Sequence, residues 1–201
     1  MKISKQRWDE AQEVEITLHD SGPEIKAHYK RGYEIVFELI GSPPAVSALS
    51  NMKILEVGPA FYPAVAYYDI KERHVVEPLY SKFPDHIKED FTNLGIHIHE
   101  EPMEHTTFQE NEFDEVWCFN LLQHVIDPSE TLKKCLHAGK VFRVFEPIDY
   151  PIEPSHPHAF TVDWFKEQLP GHPINVYKGG TIKNFHTANC AHALITKAHR
   201  V

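Results

Sequence analysis

The hydrophobic positions follow two rhythms. Residues 7–18 are charged and helix-like, and residues 28–40 place Tyr29, Tyr33, Val36, Phe37 and Ile40 at helical spacing before Gly41 and the breaker Ser42-Pro43-Pro44. Such a stripe packs on a core. From Met52 the pattern changes to short apolar runs separated by helical stretches. Residues 53–57, 74–76, 96–99, 115–119 and 140–145 predict five strands rich in Val, Ile and Phe. Between them 63–70, 81–93 and 129–137 predict helices, the last closed by Gly139 as a C-terminal cap. This β/α alternation predicts an α/β fold, a mostly parallel sheet with helices on both faces that binds ligands at the carboxyl ends of its strands. After Pro147 a helix at 161–169 and two strands at 174–177 and 192–196 follow, with no helix between the strands, which predicts a C-terminal antiparallel pair at one sheet edge.

Composition narrows the functional classes. With 201 residues the chain is one domain's length, divided by texture into a helical segment at 1–50 that should cover the site and an α/β part at 51–201. The net charge of -9 opposes general nucleic-acid binding, and no basic run longer than Lys133-Lys134 offsets it. No signal-like apolar region opens the sequence and no stretch reaches the roughly 20 apolar residues of a membrane span. Cys118, Cys135 and Cys190 lack C-x-x-C spacing, which predicts reduced thiols and a cytoplasmic setting. The oligomeric state is left open.

The first predicted strand runs into Glu56-Val57-Gly58-Pro59-Ala60-Phe61-Tyr62-Pro63, an acidic strand end meeting a glycine turn. In a dinucleotide fold the second glycine admits a pyrophosphate; that place holds Ala60, with Tyr62 and Pro63 near the third, so a pyrophosphate fits poorly. The second strand ends in Glu77-Pro78, where an acid can accept hydrogen bonds from ribose hydroxyls and would repel a 2′-phosphate. Tyr67-x-x-x-Lys71 formally matches a dehydrogenase pair but falls on a helix surface, and no G-x-S-x-G elbow or Walker-type loop occurs.

These segments together resemble the Rossmann-like S-adenosylmethionine-dependent methyltransferases, particularly those acting on small molecules. Residues 52–58 look like the family's first motif and Glu77 like its ribose acid. Phe113-Asp114-Glu115-Val116 followed by Leu121-Leu122-Gln123-His124-Val125 looks like its fourth strand and helix start. The resemblance covers roughly residues 50–200 and implies transfer of a sulfonium methyl group to an O, N or C nucleophile of a small molecule, with S-adenosylhomocysteine as product. It implies a cofactor site of Glu56, Gly58, Pro59, Ala60, Tyr62, Glu77 and Pro78, closed by Asn120, Leu121 and Leu122. The family's adenine acid falls at Pro102, so Glu101 is the expected substitute, with Met103 lining the ring. A cofactor without pyrophosphate tolerates the altered glycine turn. Two other readings are an NAD-dependent enzyme, favoured by Glu77 and opposed by the missing glycines, and a methyltransferase-like binding or assembly module without catalysis, motivated by Ala60, Tyr62 and Pro102, which alter the cofactor rim while the strands stay intact.

His97-x-His99 and His156-x-His158 raise a metal reading, but neither has a third ligand at motif spacing, so no metal is expected. His124, His156 and His158 are the candidate acid/base residues, with Glu146 as the acidic alternative. Tyr29 or Tyr33 is expected to face the cofactor from the N-terminal segment, and the loop at 147–158 to form the opposite wall.

Overall fold

The computed structural model describes residues 1–18, 23–41, 46–182 and 187–197. Ser42, Pro43 and Pro44 of the predicted breaker lie outside them. Among the described residues seven strands form one sheet: β1 (Lys53–Val57), β2 (Glu72–Val76), β3 (Ile96–His99), β4 (Phe113–Phe119), β5 (Gly139–Ile148), β6 (Asn175–Tyr177) and β7 (Asn189–Thr196). Their order is β3-β2-β1-β4-β5-β7-β6. The first five are parallel; β7 runs antiparallel to both β5 and β6. The predicted mostly parallel sheet with an antiparallel C-terminal pair is therefore the observed one.

Period-two alternation divides the core between the two faces. Ile54, Val75, Trp117, Phe119 and Phe145 face one side, where Tyr33, Val36, Phe37 and Ile40 of α2 (Pro23–Ile40) pack on them. Leu55, Val57, Val116, Cys118 and Val144 face the other. There α5 (Pro128–Ala138) contributes Leu132, Cys135 and Ala138, and α6 (Val162–Gln168) contributes Phe165. Both faces being covered, the strands read as nearly continuous apolar runs. A buried ion pair sits beneath α2: Arg143 meets Glu115 through Nε to Oε2 at 2.8 Å and Nη2 to Oε1 at 3.1 Å, and its Nη1 donates to the Gly41 carbonyl at 2.6 Å. Helices α1 (Lys5–Leu18) and α3 (Val46–Leu49) complete the N-terminal part.

Two predicted helices are shorter than their patterns suggest. The 63–70 segment forms only a 3-10 turn at Ala64–Tyr67, because Arg73 takes up the carbonyls of Val65 and Tyr68 and Tyr68 is extended. The 81–93 segment is split by Pro84, which holds Phe83 extended and leaves a 3-10 turn at Tyr80–Lys82 before α4 (Asp85–Asn93). Gly139 follows α5 with φ -104 and ψ 145, so it is the first residue of β5 rather than a left-handed cap. A Cβ there would lie 2.8 Å from the Val116 side chain of β4, so the close approach of the start of β5 to its neighbour strand requires the glycine.

Candidate functional site

At the carboxyl ends of β1, β2 and β4 lies a cavity of about 870 Å³, within the size range of small-molecule sites. Strand ends make its floor. Gly58 leaves β1 with φ +62, and an added Cβ would fall 2.1 Å from Leu121 Cδ1, so the turn admits only glycine without rearrangement. Ala60 and Asn120 are also left-handed, at φ 53 and φ 54. The Asn120 turn is fixed by its amide donating to the Phe145 carbonyl at 2.7 Å.

Of the residues expected around a cofactor, Gly58, Pro59, Ala60, Glu77, Pro78, Met103, Asn120 and Leu121 line this cavity. Glu77 is buried; Oε2 accepts from the Ala60 amide at 3.2 Å and Oε1 from the Leu79 amide at 2.9 Å. The carboxylate thus shapes the glycine turn, and each oxygen carries two lone pairs that can also serve a ligand.

Four expected residues lie elsewhere. Glu56 points to the α2 face, where Oε1 and Oε2 accept from the amides of Ala64 and Val65, both at 2.9 Å. Burial pushes its pKa up to about 8 against the lowering effect of those two donors. Tyr62 is buried beside Tyr29, ring centroids 5.6 Å apart, and neither covers nor fills the cavity. Leu122 is turned into the core on the α5 face. Glu101 is exposed, because the 3-10 turn Met103–His105 carries the chain inward only after Pro102. Glu104 takes its place on the cavity wall: Oε1 accepts from the amides of Ile126 and Asp127 at 2.9 Å each, and Oε2 is buried without a hydrogen-bond partner.

The histidines separate in the same way. His124 lines the cavity, and His156 meets it ring to ring at 4.7 Å. His158 is buried away from it, with Nε2 2.8 Å from the Val125 carbonyl. His97 and His99 stack on His74, whose Nδ1 is 3.0 Å from His99 Nε2; burial, then Lys53, lowers the His74 pKa to about 4. This cluster lies outside the cavity lining. Glu146 is fully buried under the β4 turn, accepting from the amides of Leu121 at 2.8 Å and Gln123 at 3.1 Å. It positions that turn and does not line the cavity.

Helices α1 and α2 supply the facing wall through Trp8, Gln12, Glu15, Tyr29 and Tyr33. Trp8 Nε1 and Gln12 Nε2 both donate to the His124 carbonyl, at 2.9 and 3.0 Å, and Arg7 donates to the carbonyls of Glu153 and Pro154. Burial first, then Glu15 for Tyr29 and Glu56 for Tyr33, raises both phenol pKa values, so the two rings offer neutral hydroxyls at neutral pH. Trp8, Gln12, Glu15 and Glu104 escaped sequence reasoning. The spacing of Trp8, Gln12 and Glu15 along one helical face was their only signal.

The wall carries three carboxylates, Glu15, Glu77 and Glu104, and among the described lining residues no Lys or Arg. The field therefore favours a cationic ligand and offers nothing to neutralise a pyrophosphate.

Comparison with known proteins bears on the fold. A family model described as "Methyltransferase domain" matches residues 66–140. That span contains Glu77 and the β4 turn but begins after Gly58. No curated protein matches the chain in sequence. Among solved structures, the cyclase SpnF is similar at 16% identity and TM-score 0.58, over 74% of this chain and 58% of its own length. An S-adenosylmethionine-dependent methyltransferase from Thermotoga maritima is similar at 14% identity and TM-score 0.56, over 85% and 91%. Another from Aquifex aeolicus gives 13% identity and TM-score 0.53, over 88% and 100%. The fold is the one that the sequence resemblance implied, that of the Rossmann-like S-adenosylmethionine-dependent methyltransferases. No helix among the described residues is long and apolar enough to cross a membrane.

Proposed function

We propose that this chain, with its methyltransferase fold, binds S-adenosylmethionine and transfers the methyl group to an O, N or C nucleophile of a small molecule. The observation that carries the reading is the charge of the cavity, lined by Glu15, Glu77 and Glu104 and, among the described residues, by no Lys or Arg. S-adenosylmethionine is cationic at its sulfonium and ammonium groups and has no phosphate; NAD brings a pyrophosphate that this wall would repel.

In this reading Gly58 and Ala60 border the methionine portion and Glu77 accepts from the ribose hydroxyls. Met103, Leu79 and Phe83, all on the lining, hold the adenine. The unpartnered Oε2 of Glu104 suits the adenine amino group in the role expected of Glu101. Asn120 and Leu121 close the other side. The acceptor occupies the space toward α1 and α2, where Tyr29, Tyr33 and His124 face it. Direct displacement needs the nucleophile held about 3 Å from the methyl carbon and in line with the departing sulfur, so positioning supplies much of the rate. Of the candidate histidines, His124 lines the cavity and would act on the acceptor, with His156 packed edge-on against it. The three cysteines, buried as free thiols, fit a cytoplasmic setting.

Tyr62, which argued for loss of catalysis when read from sequence, packs away from the cavity and does not obstruct it. Calorimetry with S-adenosylmethionine and S-adenosylhomocysteine tests the reading, with binding of both expected. Failure of either to bind at millimolar concentration, or tighter binding of NAD, would overturn it. Binding without turnover over a broad acceptor panel would favour the assembly-module alternative.

A further inference from the structure

Three side chains from separate elements converge at the edge of the cavity: Glu15 of α1, His124 after β4 and His156 after β5. Each offers one donor atom, and the three donor atoms lie within 4.8 Å of one another. All three are largely shielded, their side chains 17%, 11% and 19% exposed. His124 Nδ1 is 3.5 Å from Glu15 Oε2. That distance is long for a hydrogen bond between these groups. It is close to the separation of two ligands on a tetrahedral ion with bonds of about 2.0–2.2 Å.

The surroundings point the same way. The Ser155 carbonyl lies 3.1 Å from His124 Nδ1, a neutral oxygen beside the donor set. The Glu153 carboxylate lies 3.5 Å from His156 Nδ1, a buried nitrogen without a hydrogen-bond partner. A buried imidazole nitrogen left unpaired calls for a partner that the described residues do not supply. Arg7 meanwhile bonds the carbonyls of Glu153 and Pro154, fixing the His156 loop without entering the cluster.

We infer that Glu15, His124 and His156 form a binding site for a divalent first-row transition-metal ion at the acceptor edge of the cavity. Two imidazoles and one carboxylate suit Zn²⁺, Mn²⁺, Fe²⁺ or Co²⁺ and disfavour the all-oxygen preference of Ca²⁺ or Mg²⁺. Because Glu15 and His124 line the cavity, an acceptor with a hydroxyl or carboxylate oxygen can complete the coordination. This consequence, unlike the site itself, rests on the methyl-transfer reading. A coordinated hydroxyl acidifies and loses its proton to water. Its oxygen then forms the bond to the methyl carbon while the carbon–sulfur bond breaks and S-adenosylhomocysteine leaves as a neutral thioether.

Titration of the metal-stripped full chain with Co²⁺, followed by visible absorption and calorimetry, tests the site. One equivalent should bind and be displaced by Zn²⁺. Glu15→Gln, His124→Ala and His156→Ala should each weaken it at least 10- to 100-fold. A His97→Ala/His99→Ala protein should keep it, which separates it from the β2–β3 histidines. Absence of a bound equivalent in the unaltered chain, survival of binding in His156→Ala, or its loss in the His97/His99 variant would overturn the inference. Circular dichroism and S-adenosylhomocysteine affinity on the same proteins control for folding, and His156→Gln replaces any variant that fails to fold. Co²⁺ binding without S-adenosylhomocysteine binding would remove the methyl-transfer reading and leave the site standing; the reverse would remove only the site.

Discussion

On one side of the cavity the lining residues sit at the ends of β1, β2 and β4, where ladder hydrogen bonds fix the backbone up to the residue before each turn. On the other they are side chains of α1 and α2, placed only by the packing of those helices on the sheet and on the loops after β4 and β5. The first wall has left-handed turns at Gly58, Ala60 and Asn120 braced by buried carboxylates. The second is held by Trp8 and Gln12 on one carbonyl and Arg7 on two others. A site built this way can keep its strand-end half constant while its helical half varies with the helices laid across it.

The largest expected effect lies in the strand-end wall. Gly58→Val puts a branched side chain at φ +62 against Leu121, a conformation costing about 1–3 kcal/mol before any contact with ligand is counted. It should weaken S-adenosylhomocysteine by at least about 100-fold in calorimetry while circular dichroism shows the fold retained. Near-native affinity would mean that this turn does not touch the cofactor. Glu77→Ala comes next: loss of charge-assisted hydrogen bonds should cost about 1.5–3 kcal/mol of affinity, roughly 10- to 150-fold. Because Glu77 also accepts from Ala60 and Leu79, chemical unfolding should show a stability loss of about 1–3 kcal/mol in the same protein. A stability loss with unchanged affinity would confine Glu77 to bracing the turn.

Glu146 tests what lies beneath that wall. Burial pushes its pKa up to about 7 from an ordinary 4.5, against the lowering effect of the amides of Leu122, Leu121 and Gln123. The folded chain therefore holds this proton where the unfolded chain has lost it. Its contribution is fully present below about pH 4.5 and is lost as pH rises through 7. Urea unfolding from pH 5 to 7 should show the unaltered protein losing stability relative to Glu146→Gln, by up to about 1.4 kcal/mol per pH unit. Parallel profiles would show a carboxylate ionised throughout. The smallest effect belongs to the helical wall: Trp8→Phe removes one hydrogen bond to the His124 carbonyl and should cost about 1 kcal/mol of stability. S-adenosylhomocysteine affinity should stay within about twofold, and a larger change would mean that the two walls are not independent.

The same division governs what the sequence discloses. Gly58, Glu77 and Asn120 are legible because each sits one step beyond an apolar run whose period already marks a strand, and strand ends in a parallel sheet meet at one edge. Glu101 misleads by three residues because a single 3-10 turn decides which acid faces inward, and no periodicity spans so short an element. The 63–70 segment carries a helical pattern, yet Arg73 from β2 claims its carbonyls, a tertiary competition that local spacing does not record. Glu56 and Glu146 look like ligand-facing acids at strand ends and serve instead to hold backbone amides. Glu15, His124 and His156 come from distant parts of the chain, and only the fold of α1 over two loops brings them together.

The bidentate pair of Arg143 and Glu115 has a consequence for dissection of the chain. Its third partner is the Gly41 carbonyl at the end of α2, and the apolar face of that helix covers Trp117 and Phe119. Severing the polypeptide ahead of β1 would strip aromatic surface bare and leave a guanidinium short of an acceptor in a site that excludes water. The change of texture near residue 50 thus marks no seam for truncation or for swapping domains between homologues. Recombinant exchange of the helical wall must carry α2 together with the residues of β4 and β5 beneath it.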